Sequence, residues 1–130
     1  MSHTVGAMNV KTIARRKRHA RLSPEAIDMV AARFRVLGEP LRVRILEELR
    51  NGQKNVSELV AAVGSTQPNV SKHLRTLQES GLVARRQDGN QVYCYIDDPS
   101  VFDLCDAVCT SLSRRLVRDA RLAPELHRAR

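Results

Sequence analysis

The chain has 130 residues, 42% of them hydrophobic but only 3% aromatic and none Trp, which fits one small domain with an aliphatic core that gains from dimerisation. No apolar run approaches the ~20 residues of a membrane span, and the N-terminus shows no signal-peptide pattern, so a cytoplasmic protein with no membrane partner is expected. The net charge of +8 favours an anionic partner, nucleic acid first.

The charge sits at the ends. Residues 1–21 carry Lys11, Arg15, Arg16, Lys17, Arg18 and Arg21 with no acid, and read as a flexible basic arm that could hold a short helix over Val10–Ala20. The stretch 22–120 reads as one folded DNA-binding and dimerisation domain, and 121–130 as a basic tail. Ser23-Pro24-Glu25 starts a helix, with Ser as N-cap, Pro in the first turn and an acid near the N-terminus. Ile27, Val30, Ala31, Phe34 and Leu37 then recur at helical spacing until Gly38. Pro40 opens a second helix, with Leu41, Val43, Ile45, Leu46 and Leu49 inward, closed by Asn51-Gly52.

Asn55 and Glu58 form a capping-box pattern ahead of a short helix through Leu59, Val60 and Val63, which Gly64 stops. Ser65-Thr66-Gln67-Pro68 begins the next helix, with Val70, Leu74 and Leu77 on one face as far as Ser80-Gly81. The period then changes to alternation. Residues 82–86 and 91–96 flank Asp88-Gly89-Asn90 and predict a β-hairpin. Asp98-Pro99 precedes a final long helix with Val101, Phe102, Cys105, Val108, Cys109, Leu112 and Leu116 on one stripe. The expected fold is mainly α with a small β-hairpin (α+β), in the order four helices, two strands, helix.

A short helix, a glycine turn and a second helix make a helix-turn-helix. The second helix must bury one face and offer the other to the major groove of duplex DNA. Ser65, Thr66, Gln67, Asn69, Ser71, Lys72, His73 and Arg75 are the expected reading residues. Gln and Asn pair bidentately with adenine and Arg with guanine, while Lys and Ser suit phosphate. Arg85, Arg86 and Asn90 on the hairpin would form a basic wing along the backbone or minor groove. The combination of reading helix and wing is more specific than either part.

The runs Leu37-Gly38-Glu39-Pro40-Leu41-Arg42-Val43-Arg44-Ile45-Leu46, Ser57-Glu58-Leu59, Gln67-Pro68-Asn69-Val70-Ser71-Lys72-His73-Leu74 and Gly81-Leu82-Val83 resemble the ArsR/SmtB family of metalloregulatory repressors over about residues 25–120. The resemblance implies a winged helix-turn-helix homodimer joined through its first and last helices. It also implies a two-fold operator in double-stranded DNA and repression relieved by an inducer. The family's thiolate site on the helix before the turn is not matched, because Glu58-Leu59-Val60-Ala61-Ala62-Val63 lacks both of its cysteines. Its zinc site on the last helix aligns with Asp98, Ser100, Ser111 and Arg114, of which Asp98 alone could ligate.

Cys94, Cys105 and Cys109 remain. Three thiolates suit As(III) or Sb(III), or a soft divalent ion such as Cd or Pb, and no organic cofactor is expected. Cys105 and Cys109 share a helix face with Cβ atoms about 5–6 Å apart, too far for a relaxed disulfide. The same cysteines could instead serve a redox or reactive-sulfur sensor, or be plain core residues. A thiol enzyme is disfavoured, since no His lies near a cysteine on a predicted element and no Cys-x-x-Cys motif is present. A winged helix that only contacts other proteins is the remaining alternative.

Overall fold

The computed structural model describes residues 20–117, which divide between Arg35 and Val36 into two units. The basic arm up to residue 19, all but the last residue of the short helix expected over Val10–Ala20, residues 118–120 of the expected domain and the tail 121–130 lie outside the described residues. The first unit holds most of α1 (Pro24–Leu37). Ser23 caps it as expected: its hydroxyl accepts the Ala26 N–H at 3.1 Å and its carbonyl that of Ile27 at 2.9 Å. No residue of α1 is buried, and Ile27, Met29, Val30 and Phe34 are all exposed.

The second unit runs α2 (Pro40–Leu49), β1 (Lys54–Asn55), α3 (Val56–Val63), α4 (Gln67–Glu79), β2 (Val83–Asp88), β3 (Gln91–Ile96) and α5 (Ser100–Arg115). Each start has a local cause. The Glu39 carboxylate accepts the N–H groups of Leu41 and Arg42 at 2.8 and 3.3 Å, with Pro40 in the first turn of α2. Asn55 and Glu58 close a reciprocal capping box on α3 at 2.8 and 2.9 Å. Thr66 caps α4 through the Asn69 N–H. Asp98 accepts both the N–H and the hydroxyl of Ser100 where α5 begins.

The core joins Ile45, Leu46 and Leu49 of α2 to Leu59 and Val63 of α3 and to Val70, Leu74 and Leu77 of α4. Leu82, Val83, Cys94 and Val101 complete it. Burying each such Leu stabilises the fold by roughly 1.5–3 kcal/mol, so these three helices are held as one block. At the far end of α2, Arg50 donates to both oxygens of Asp106 at 3.1 and 3.2 Å. Its guanidinium lies 4.5 Å from the Phe102 ring centre, which docks α5 against α2.

The sheet differs from the expected hairpin in one respect. It has three antiparallel strands in the order β1-β3-β2, with Lys54 opposite Cys94 and Asn55 opposite Tyr93. Two residues are too few to show an alternating pattern, and Asn55 also serves as the helix cap, so this strand carries no sequence signature. The hairpin itself stands as expected, from Val83 opposite Ile96 to Asp88 opposite Gln91. Gly89 at its tip has φ +63° and Asn90 a negative φ, the pattern of a type II′ turn. Among the described residues no helix is long and apolar enough to cross a membrane.

Candidate nucleic-acid interface

The helix-turn-helix is α3, Gly64 and α4. Gly64 adopts φ +66° and its N–H bonds back to the Val60 carbonyl at 3.0 Å, ending α3 and redirecting the chain. A Cβ at Gly64 would meet nothing within 4 Å. The backbone conformation, and not crowding, is what favours glycine there.

On α4 the residues Val70, Leu74 and Leu77 are fully buried. Gln67 at the helix start and Lys72 and Arg75 on the side away from that stripe are exposed, while Asn69 and Ser71 are half-buried. Ser65, Thr66 and Asn69 act on one another: Asn69 Nδ2 donates to Ser65 Oγ at 3.0 Å, and Thr66 Oγ1 accepts the Asn69 N–H at 3.3 Å. They thus cap and brace the start of α4.

His73 corrects an expectation. Placed on the reading face by its polarity, it is only 7% exposed. Its position three residues after Val70 and four before Leu77 puts it on the buried stripe. There its Nδ1 lies 3.0 Å from Arg42 Nη1, and its Nε2 lies 3.8 Å from Glu39 Oε1. Burial pulls the imidazole below its usual 6.5, with Glu39 opposing and Arg42 and Lys72 adding to the fall. For Glu39, burial resists ionisation, but the Leu41 and Arg42 N–H groups and the nearby His73 and Arg42 charges win, so its carboxyl lies below 4.5. Neither Glu39 nor Arg42 was singled out by sequence reasoning. In the sequence both stood only as members of the Leu37–Leu46 motif, with no role of their own.

The wing presents Arg85, Arg86 and Asn90 on exposed positions. Arg86 is braced: it donates to Gln53 Oε1 at 3.0 Å, approaches Asp88 at 3.6 Å and lies 5.3 Å from the Tyr93 ring centre. Arg85 pairs across the ladder with Cys94, where its charge favours the thiolate. Gln87 Nε2 donates to the Gly89 carbonyl at 2.8 Å, stiffening the tip. The exposed face of α4 and this wing form a polar, cation-bearing surface suited to groove edges and phosphates.

The three cysteines do not gather within one chain. Cys94 is 0% exposed in the core, and burial pushes its thiol up despite Arg85. Cys105 and Cys109 are free and half-buried on α5. Burial raises the Cys105 thiol, and Cys109, Glu47 and Asp106 add to the rise against Arg50. Among the described residues no three His, Cys, Asp or Glu side chains are placed to hold one metal ion. The reason is positional: β3 turns Cys94 inward between its neighbouring strands, while Cys105 and Cys109 follow the α5 stripe.

The family model for bacterial regulatory proteins of the arsR family matches residues 39–85. The chain is 38% identical over 77 residues to the probable mercury resistance operon repressor of Streptomyces lividans, a match spanning 59% of this chain and 62% of that one. The chain thus covers less than two thirds of that relative's length. The crystal structure of Mycobacterium tuberculosis Rv0081 superposes with a TM-score of 0.68 at 33% identity, covering 76% of this chain and 99% of that one. A second structure, Mb0332 of Mycobacterium bovis, is described as a homodimeric winged helix-turn-helix DNA-binding domain of a possible ArsR-family regulator. It matches with a TM-score of 0.60 at 28% identity over 79% of this chain and 93% of that one.

Proposed function

The chain belongs to the arsR family of bacterial regulatory proteins, transcriptional regulators and not enzymes, and from that premise we propose a homodimeric cytoplasmic repressor that reads duplex DNA with α4 and the β2–β3 wing. The observation carrying this is the division of α4. Val70, Leu74 and Leu77 anchor it in the core while Lys72 and Arg75 on the other side and Gln67 at the helix start are exposed, with a braced basic wing following the helix. Gln67 and Arg75 are assigned to base edges; Lys72, Ser71, Arg85 and Arg86 to phosphates; and Asn90 to the groove at the wing tip. Ser65, Thr66 and Asn69 present the helix start to a phosphate.

Dimerisation is supported by two uncovered apolar faces and by the homodimeric Mb0332. On α1 these are Ile27, Val30 and Phe34, and on α5 Val108 and Leu112. Two-fold symmetry would then set two reading helices one DNA turn apart. Binding should weaken steeply with salt. Gln67→Ala and Arg75→Ala should each cost roughly 1–3 kcal/mol against a selected duplex and little against random DNA. Equal binding by both variants would remove α4 from the reading role.

For the inducer we propose a soft metal or metalloid held by Cys105 and Cys109. A thiol pair at i and i+4 on a partly open helix face suits As(III), Sb(III), Cd or Pb, and a second copy could add its own pair. The mercury-operon relative supports a soft ion. Cys94 is assigned to the core. Arsenite, antimonite, cadmium and lead should be tried for release of DNA from wild type, Cys105→Ser and Cys109→Ser. Loss of release in both variants is expected, and unchanged release in both would end the thiol reading.

A further inference from the structure

Resting on the DNA-reading role of α4, we propose that Arg42 and His73 form a latch that positions this helix, closed only while the imidazole is neutral, so that acidification loosens DNA binding. Arg42 reaches three ways from the first turn of α2. Its backbone N–H goes to Glu39 Oε1 at 3.3 Å, its Nε donates to the Val36 carbonyl at 2.6 Å, and its Nη1 meets His73 Nδ1 at 3.0 Å. One guanidinium thus ties the end of α1 and the start of α2 to the middle of the reading helix. His73 lies between Lys72, which faces out, and Leu74, which is buried.

The chemistry of this contact is one-directional. A guanidinium carries N–H donors and no acceptor, and it stays charged at every accessible pH. Nδ1 of His73 must therefore offer its lone pair, which leaves the proton on Nε2, facing Glu39 at 3.8 Å. This is the neutral Nε2–H tautomer. An imidazolium has no lone pair on either nitrogen, so the Arg42 bond cannot survive its formation. Protonation would also set a second cation 3.0 Å from the guanidinium.

The charged groups acting on His73 are Glu39 and Arg42 from the start of α2 and Lys72 from its own helix. Glu39 favours the imidazolium, while burial and the two cations oppose it. The balance falls against protonation, so acid works against the latch instead of strengthening it. Binding residues need placement within about 0.5 Å. The shared core keeps α4 on α2, but a tilt of α4 of that size on losing the latch would move Gln67 and Arg75 off their base edges.

The sign of the effect separates the latch from plain charge. One more cation near DNA would tighten binding in acid, whereas an opened latch weakens it. The test uses the full chain and a duplex enriched by the wild-type protein from a random-sequence library. Dissociation constants are measured at roughly pH 8 and pH 5 for wild type and His73→Gln, whose amide oxygen can still accept from Arg42 but does not titrate. Histidines elsewhere in the chain are common to both proteins, so the ratio of ratios reports His73 alone. Wild type should lose about tenfold more affinity on acidification than the variant, the size of one hydrogen bond to a charged group. An equal or smaller loss in wild type overturns the proposal.

A second measurement needs no variant. Nitrogen-15 NMR of the wild-type imidazole should show Nδ1 bare and Nε2 protonated at roughly pH 8, with titration below 6.5. A proton on Nδ1 would refute the latch even if His73→Gln does not fold. If no duplex is enriched, the DNA-reading role fails, and the NMR result still decides the latch.

Discussion

Cys94 and His73 show how far a side chain's chemistry is set by its neighbours. As part of the core on β3, Cys94 should resist iodoacetamide in the folded protein and react only in urea, because both access and the thiolate fraction are suppressed. Peptide mass mapping checks this; ready alkylation of folded protein would put the thiol at the surface. His73 and Glu39 both have lowered values, from 6.5 and 4.5, so the unfolded chain binds more protons as pH falls. The stability from His73 is full above about 6.5 and is lost as pH drops to its folded value; that from Glu39 is full above 4.5 and goes lower still. Urea midpoints should therefore fall on acidification, and His73→Gln should flatten the upper part of that fall. A midpoint constant from neutral pH down through that range would contradict the buried, neutral imidazole.

Among the elements, α3 and α4 depend on their ends. Gly64→Ala should cost about 1–2 kcal/mol, because φ +66° disfavours any Cβ, and Asn55→Ala about 1 kcal/mol by opening the capping box. Chemical denaturation measures both. Arg50→Met tests how α5 is docked. It removes a two-oxygen contact to Asp106 and a stack on Phe102. Both charged partners are partly exposed, which screens the pair, so a loss of about 1 kcal/mol is expected. These helices and the hairpin were readable beforehand, since caps, prolines and glycines are local signals. The strand at Lys54–Asn55 was not, because it exists through pairing with β3.

For the molecule as a whole, the apolar faces of α1 and α5 ask for a second copy. Phe34→Asp or Leu112→Asp should give a monomer by sedimentation and weaken binding to a duplex with two half-sites. A variant that stays dimeric would move the interface elsewhere. Periodicity, caps and turn residues, all local and repeated along the chain, already determined the winged helix-turn-helix order and the Val70, Leu74, Leu77 spine. Resemblance along four motifs pointed to the ArsR/SmtB family. Tertiary structure alone decided the fates of His73 and of the three cysteines. Whether a polar side chain faces solvent or an arginine, and whether thiols on a strand and a helix meet, depends on packing between segments distant in sequence, where Arg42 is 31 residues from His73.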